Sequence, residues 1–316
     1  MGAPFLEPGR RPEIGPRLPV GSIGPLPPRR LIGPIGPIGP IGAISSGSAV
    51  AVIPRPQPRR VIAPNATLVT RIDLTPSVAR FFVRPDAGVP PFEPGQYFAL
   101  GLEVDGTFLQ RPYSTASPSA TAAVAGAKRV AVTTDRLEFL VRRVADGVFT
   151  PSLWSAAPGD RIWIGPPKGL FTLHPGDERT HLFVSSGTGL APFISMADAL
   201  LRSGSGPRVI VVHGASYVAE LAYRDRLEGW AAGGRLVYVP TISRPSDPTN
   251  EGWRGRTGRA ESILAPVCQW LGLDPRDSVA YLCGNPDMTE SGAAVLAEVG
   301  FPAAAVVREL YWTARE

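Results

Sequence analysis

The sequence predicts an antiparallel β-barrel followed by an α/β domain with a parallel sheet, both behind a disordered N-terminal tail. Three observations support this. Proline and glycine crowd into residues 1–64, and short β-branched segments follow one another closely over residues 66–165. From residue 181 onward, compact apolar segments alternate with helical stretches. A chain of 316 residues has room for two such domains and an appendage.

The tail is expected because residues 1–64 cannot build a packed core. Their run GPIGPIGPIG at 33–42 has the three-residue period of collagen but lasts barely more than three triplets. Proline lacks an amide donor, and glycine loses much conformational entropy on ordering. A start codon assigned too far upstream would also produce such a segment, and this alternative stays open.

The positive charge of the chain belongs to this tail. The whole chain has a formal net charge of +5, whereas the tail carries eight arginines and two glutamates, so the remaining residues sum to −1. A body that binds nucleic acid is therefore not indicated. We hypothesise that the arginines raise the encounter rate with an acidic partner at low salt, where screening is weak.

Cysteine content and hydropathy predict a cytoplasmic protein without a metal centre. Cys268 and Cys283 are too few for the four ligands of an iron–sulfur cluster, and two thiols suit a reducing compartment. The histidines show no ligand spacing, so no metal is predicted. The most apolar early stretch, Leu31–Pro54, is broken by prolines and glycines, and no charged-then-apolar signal peptide opens the chain.

The barrel is predicted from short strands bounded by turn residues. The predicted strands cover residues 66–74, 79–85, 97–104, 129–134, 137–144 and 160–165. One short helix is expected between the last two strands. Thr150 would be its N-cap and Pro151 its first helical residue.

The α/β domain is predicted from the alternation of strands with helices, which makes its sheet parallel. The predicted strands cover residues 181–186, 208–214, 235–242, 279–284 and 306–312. The predicted helices cover residues 192–201, 217–231, about 259–271, and 286–299. We expect three regions: the tail at 1–64, the barrel domain at 65–175 and the α/β domain at 176–316.

A glycine-rich turn, GTGLAP at 187–192, separates the first strand of the α/β domain from its helix. Glycines let phosphate oxygens approach backbone amides, and the start of a helix adds positive potential. Pro192 stands where the dinucleotide fingerprint GxGxxG has its third glycine, so the match is incomplete. A tight structural turn is the alternative interpretation.

Two segments of the barrel carry residue types that suit binding. RPYS at 111–114 follows a strand that is predicted to end near Leu109. Its arginine suits a pyrophosphate, its tyrosine a planar ring and its serine a ring nitrogen. GVFT at 147–150 opens the short helix and is a second candidate anion site. Considered alone, each of these residues is better interpreted as an ordinary surface, core or turn residue than as a binding residue.

Together, however, the motifs occur in a characteristic order. RPYS and GVFT are followed by GTGLAP, then by CGNPDM at 283–288 and the pair Tyr311-Trp312. In this order and structural context, residues 66–312 resemble the ferredoxin–NADP reductase family, and most closely its bacterial branch that serves ferredoxins and flavodoxins. The resemblance implies an FAD-binding barrel and an NADP-binding α/β domain.

The resemblance assigns the barrel motifs to FAD. Arg111 would bind the FAD pyrophosphate, with Pro112 in the same binding segment. Tyr113 would pack on the isoalloxazine, and Ser114 would lie beside the flavin N5. The residues that would present amides to the same pyrophosphate are Gly147, Val148, Phe149 and Thr150.

The resemblance assigns the α/β motifs to NADP. The turn that would hold the NADP pyrophosphate consists of Gly187, Thr188, Gly189 and Pro192. Ser243 and Arg244, with Arg256 further on, match places where relatives hold the 2′-phosphate, which implies a preference for NADPH. No acidic residue directly follows the preceding strand, as it does where a free ribose hydroxyl is bound. Solvated loop arginines are the alternative interpretation.

The catalytic residues implied by the resemblance are Ser114, Cys283 and Tyr311. Cys283 and Gly284 would lie beside the nicotinamide. Tyr311 would cover the other face of the flavin, with Trp312 near it. Four residues follow this aromatic pair, which departs from the family pattern.

The implied function is an FAD-dependent reductase that passes electrons between NADPH and a ferredoxin or flavodoxin, by hydride transfer to flavin N5 and single-electron steps onward. A monomer that binds neither nucleic acid nor membrane is expected. Three alternatives remain: the reductase component of a multicomponent oxygenase, a free-flavin reductase, and a flavoprotein subunit or redox sensor without turnover of its own. Many oxygenase reductases carry a fused ferredoxin domain. Its iron–sulfur cluster needs four ligands, and two cysteines exclude such a domain here.

Overall fold

The computed structural model describes residues 62–119, 134–202, 206–234 and 236–310. Residues 1–61 of the predicted tail and 129–133 of one predicted strand lie outside this part of the chain. Tyr311 and Trp312 also lie outside it.

Six antiparallel strands form the first sheet. They are β1 (Ala66–Thr75), β2 (Val78–Pro85), β3 (Tyr97–Val104), β4 (Thr107–Ser114), β5 (Leu137–Arg142) and β6 (Arg161–Ile164). Their spatial order is β4-β3-β6-β1-β2-β5. Thr115, directly after β4, forms an antiparallel bridge with Phe139 of β5 and so joins the two outer strands. The predicted antiparallel barrel is confirmed.

Alternate residues of β2 point into the barrel. In β2, Ala79, Phe81 and Val83 are buried, whereas Arg84 faces solvent. This period of two follows from the pleat of a strand, so the β-branched and aromatic pattern of the sequence places one face inside. Aromatic rings then meet edge to face in the interior.

The position predicted for RPYS is wrong. The motif does not follow a strand that ends near Leu109 but forms the second half of β4. Arg111 pairs with Leu100 of β3, and Ser114 pairs with Tyr97. Pairing with β3 therefore holds the backbone of these four residues in place. A turn would hold it less firmly.

The predicted N-cap of the short helix is also wrong. Helix α1 (Phe149–Ser155) begins one residue before Thr150, and Val148 is its N-cap residue. The Oγ1 atom of Thr150 instead accepts a hydrogen bond from the amide of Val144 at 2.8 Å. Because this hydroxyl closes the turn that precedes the helix, it is not available to cap the helix.

Six parallel strands form the second sheet. They are β7 (Thr180–Ser186), β8 (Val209–Ala215), β9 (Leu236–Ile242), β10 (Arg256–Thr257), β11 (Ser278–Gly284) and β12 (Val306–Leu310), in the order β10-β9-β8-β7-β11-β12. The helices are α2 (Ala191–Arg202), α3 (Arg224–Ala232), α4 (Leu264–Leu271) and α5 (Pro286–Val299). The predicted α/β parallel-sheet domain is confirmed. The helices predicted at 217–231 and 259–271 are each divided into a short 3₁₀ turn and a shorter α-helix.

The two sheets share an apolar core. Phe171, in the segment between β6 and β7, packs against Phe193 of α2 at 5.9 Å and Tyr281 of β11 at 5.7 Å between ring centroids. Val78 and Leu140 of the barrel belong to the same buried cluster. The expected boundaries at 64/65 and 175/176 stay predictions. Within the described residues, every helix is too short or too polar to cross a membrane.

Candidate active site

The glycine-rich turn lies at the carboxyl end of β7, next to the carboxyl end of β11. Gly187–Leu190 forms a 3₁₀ turn that leads into α2, where Pro192 occupies the first turn. A Cβ atom on Gly189 would lie 2.6 Å from both the carbonyl carbon of Cys283 and the Cα of Gly284. Only glycine permits this approach, so the turn and the CGNPDM motif are in direct contact.

Contacts with Ser186, directly before the glycine-rich turn, hold the start of CGNPDM in place. Gly284 has φ +139°, and a Cβ there would lie 2.8 Å from the carbonyl oxygen of Ser186. The amide of Asn285 donates to Ser186 Oγ at 2.9 Å, and Asn285 Oδ1 caps α5 by accepting from the amide of Asp287 at 2.8 Å. Strand order reverses between β7 and β11, and ligands of open α/β sheets gather at such a point.

Ser114 and Cys283 meet at one carboxylate. Ser114 Oγ donates to Glu309 Oε2 at 3.2 Å, and Cys283 Sγ donates to the same oxygen at 3.5 Å. Glu309 lies on β12 directly opposite Cys283 in the parallel register. Burial raises the pKa of Glu309 above its ordinary value. The structure therefore brings two of the predicted catalytic residues together, whereas Tyr311 lies outside the described residues.

The two barrel motifs also meet. The rings of Tyr113 and Phe149 stack with centroids 6.0 Å apart and planes inclined by 29°. Burial raises the pKa of the Tyr113 hydroxyl, so the phenol stays neutral. Arg111 and Pro112 are exposed, and Arg111 Nη1 donates to the carbonyl of Gln110 at 2.8 Å. An exposed guanidinium beside a stacked aromatic pair is a donor set that fits an anionic group attached to a planar ring.

The residues predicted to hold the 2′-phosphate lie at one edge of the second sheet. The amide of Ser243 donates to the carbonyl of Ala215 at 2.9 Å, which places it at the end of β9. Arg256 begins β10 and pairs with Thr241 of β9.

Each of the two arginine side chains there rests on an aromatic ring of its own. Arg244 donates to the hydroxyl of Tyr217 and lies over its ring at 5.3 Å. Arg256 lies over Trp270 at 4.9 Å. The backbone segments that carry Arg244 and Arg256 are therefore neighbours, whereas their guanidinium groups contact different aromatic rings.

Sequence reasoning missed two residues of the site. The first is Glu309, which could have been found by aligning the last two predicted parallel strands. The second is Arg142 at the end of β5, whose Nη1 forms an ion pair with Glu220 Oε1 at 2.9 Å. A Cβ on Gly187 would lie 3.4 Å from Arg142 Nη2, so this barrel arginine adjoins the glycine-rich turn. In the sequence Arg142 is one of two consecutive arginines, and nothing in this local pattern predicts the contact.

These features fit two dinucleotides, one bound by the barrel and one by the parallel sheet. The barrel offers the exposed Arg111 and the Tyr113–Phe149 stack, and the sheet offers a glycine-walled turn at a helix start. Ser114 and Cys283 lie where the two sides meet. Such a fold and site define a two-domain oxidoreductase that works with a pair of nucleotide cofactors.

Comparison with known proteins identifies the family. Residues 183–293 match the family model described as oxidoreductase NAD-binding domain. The ferredoxin–NADP reductase of Pseudomonas aeruginosa is 33% identical over 228 residues, which cover 66% of this chain and 80% of that protein. The chain belongs to the ferredoxin–NADP reductase family. It is an oxidoreductase that uses FAD and NADP(H), as the sequence resemblance implied.

Solved structures agree with this assignment. The cytochrome P450 reductase GcoB of Amycolatopsis is 27% identical with a TM-score of 0.65, over 78% of this chain and 69% of that one. The ferredoxin NADP+ reductase of Neisseria gonorrhoeae, solved with bound FAD and NADP, is 23% identical with a TM-score of 0.63. That match covers 78% of this chain and 97% of the Neisseria chain, and it supports the fold.

Proposed function

We propose that this protein passes electrons between NADPH and a ferredoxin or flavodoxin, and that the reaction takes place around Ser114, Cys283 and Glu309. The observation that carries the proposal is the shared carboxylate, where a barrel serine and a sheet cysteine meet. A bound FAD, held by the RPYS and GVFT segments, would supply the chemistry that links two-electron transfer from NADPH to single-electron transfer to a carrier. The protein orients the reactants and excludes water.

The barrel residues bind the flavin. Arg111 holds the FAD pyrophosphate through charge-assisted hydrogen bonds, because its side chain is exposed beside the ring site. Tyr113 packs on the isoalloxazine and is itself held by Phe149. Residues 147–150 approach the same pyrophosphate, and the Thr150–Val144 contact fixes their turn.

Ser114, Cys283 and Glu309 form the reactive part of the site. Glu309 holds the hydroxyl proton of Ser114 at Oε2, which fixes the orientation of that hydroxyl. Cys283, opposite Glu309 in the register, contacts the same oxygen and lies at the nicotinamide side. Because burial raises the pKa of Glu309, this carboxyl keeps a proton at higher pH than an exposed glutamate does.

The sheet residues bind NADPH. The turn of Gly187, Thr188 and Gly189 holds the pyrophosphate, and Arg142 Nη2 adjoins this turn from the barrel side. Arg244 and Arg256 hold the 2′-phosphate at the β9–β10 edge. The aromatic rings beneath them keep both guanidinium planes oriented, which favours NADPH over NADH.

A second candidate function is that of a reductase component for an oxygenase. Its support is the likeness to the Amycolatopsis cytochrome P450 reductase, but the chain covers only 69% of that protein. It covers 80% of the Pseudomonas ferredoxin–NADP reductase, and its two cysteines cannot ligate an iron–sulfur cluster. We therefore favour a separate ferredoxin or flavodoxin as the partner. The low cysteine content suits a reducing compartment, so we place the protein in the cytoplasm, and we take it to be a monomer.

Steady-state assays with the FAD-loaded protein test this proposal. We expect NADPH-dependent reduction of an artificial dye and of a ferredoxin or flavodoxin from the same organism. Dye reduction without transfer to either carrier, together with transfer to an oxygenase component, would favour the second function. A protein that binds FAD but does not oxidise NADPH would be a binding subunit or redox sensor, and the proposal would be wrong.

A further inference from the structure

Tyr223 has an unusual backbone for its size. It immediately precedes α3 and lies in the left-handed region, with φ 57° and ψ 17°. Among the described residues, only Asp105 and Tyr223 combine a side chain with a positive φ. For a bulky residue this conformation is unfavourable and persists only where surrounding contacts compensate.

The compensating contacts cross between the two sheets. The hydroxyl of Tyr223 donates to Glu138 Oε1 of the barrel at 2.7 Å, and Arg80 Nε of the barrel forms an ion pair with the same oxygen at 2.6 Å. The Tyr223 ring contacts two guanidinium groups, that of Arg80 at 4.9 Å and that of Arg226 at 5.3 Å. Glu138 is only 6% exposed, so its charge is neutralised within this cluster.

The backbone of Glu138 connects this cluster to the active site. Its carbonyl accepts hydrogen bonds from the Ala116 amide at 2.8 Å and from Thr115 Oγ1 at 3.0 Å. Its amide donates to Ser117 Oγ at 2.7 Å. Residues 115–117 directly follow Ser114, so the strand that Tyr223 contacts also holds the segment next to the reactive serine.

The barrel is therefore joined to the sheet domain at two places along one line of contacts. Tyr223 contacts Glu138, which holds residues 115–117, and Ser114 then contacts Glu309. We propose that Tyr223 is a positioning residue that acts through Glu138 to set the placement of Ser114 relative to Cys283 and Glu309. This inference rests on the proposed function, because it assigns Tyr223 a role in the same reaction.

The variant Tyr223→Phe tests the inference because it removes one hydrogen bond and little else. The ring keeps both guanidinium contacts, and Glu138 keeps its ion pair with Arg80, so no buried charge is left alone. We expect NADPH to reduce the flavin about 10-fold more slowly, since small misplacements of reacting groups have large effects on rate. Affinities for FAD and NADP+ should be unchanged, because neither Tyr223 nor Glu138 belongs to the residues assigned to either cofactor.

Tyr281→Phe is the matched control. Tyr281 is also a buried tyrosine of the sheet domain, and its ring packs against Phe171 and Phe183. Its variant should reduce flavin at the wild-type rate. A double variant of Tyr223→Phe with Glu138→Gln should be no slower than Glu138→Gln alone, because Glu138→Gln already changes the acceptor of the Tyr223 hydrogen bond as well as the partner of Arg80.

Amide hydrogen exchange provides a readout besides activity. In Tyr223→Phe, exchange at residues 115–117 should accelerate, and it should not do so in Tyr281→Phe. A wild-type exchange pattern, or faster exchange with an unchanged rate of flavin reduction, would overturn the inference. An inactive wild-type protein would instead contradict the proposed function, and exchange at residues 115–117 would still decide whether Tyr223 holds this segment.

Discussion

Ser114 Oγ donates a hydrogen bond to Glu309 Oε2 at 3.2 Å, although the two are 195 positions apart in the chain. One residue belongs to the barrel and the other to the parallel sheet, so this bond marks where the two halves of the site meet. Cys283 contacts the same carboxylate oxygen. A single half-buried carboxylate thus contacts both of the residues that we assign to the reaction from the two halves.

Arg111→Ala should weaken FAD binding. The substitution removes a charge-assisted contact to the pyrophosphate, which corresponds to about 1.5–3 kcal/mol. The dissociation constant of FAD should therefore rise by about 10-fold to 100-fold in a fluorescence titration. Arg84→Ala is the control, because Arg84 is an exposed barrel arginine paired with Asp135. Equal FAD affinity in the two variants would refute the role of Arg111.

Arg244→Ala and Arg256→Ala should each reduce the preference for NADPH over NADH. Both changes remove a positive charge near the 2′-phosphate, so kcat/KM for NADPH should fall about 10-fold while the value for NADH stays constant. Arg276→Ala changes an exposed arginine just before β11, at the amino ends of the parallel strands, and should leave the ratio unchanged. If neither active-site variant alters the discrimination, these arginines do not bind the 2′-phosphate.

Gly189→Ala should separate the two loops of the NADP site. The added methyl group would lie 2.6 Å from the carbonyl carbon of Cys283 and would push the loops apart. We expect a loss of about 1–3 kcal/mol in unfolding free energy and weaker NADP+ binding.

Gly229→Ala provides the matched control for that change. It places a methyl group in α3 where no atom lies within 4 Å, and it should raise stability by up to about 1 kcal/mol through helix propensity. Undiminished NADP+ affinity in Gly189→Ala would contradict the assignment of this turn.

His213 should make the fold less stable in acid. Complete burial lowers its pKa from 6.5 to about 4, so the unfolded chain binds a proton that the folded chain excludes between these values. Stability is therefore intact above pH 6.5 and is lost as the pH falls toward 4, by roughly 3 kcal/mol. Denaturant unfolding of wild type and His213→Gln across this range measures the effect. Parallel stability curves would show that His213 does not contribute.

Local sequence patterns were sufficient to predict the fold and to find the four motifs. Strand β3 and helix α5 have the predicted bounds, because each has a clear period and clear end signals. The two-residue strand β10 was missed, since so short a segment has no period. Thr150 was misassigned because a hydroxyl can bond either a helix amide or a nearby turn, and here it bonds Val144.

Contacts between distant segments were not predictable. Glu309 and Arg142 are ordinary strand residues by sequence, and only the meeting of barrel and sheet gives them a place in the site. The motifs indicated Ser114 and Cys283 separately, but no local signal showed that they share a carboxylate. The Tyr223–Glu138 bond has the same origin, since it joins residues that are 85 positions apart.

The most direct test of the account is the rate at which NADPH reduces bound flavin in a single turnover, followed by the loss of the flavin's visible absorbance. The variants are Ser114→Ala and Glu309→Gln, compared with wild type at equal FAD content. We predict rapid reduction in wild type and a decrease of about 100-fold in each variant, because misplaced reacting groups lose this much rate. Wild-type rates in both variants, with FAD and NADPH fully bound, would contradict the claim that these residues form the reaction site.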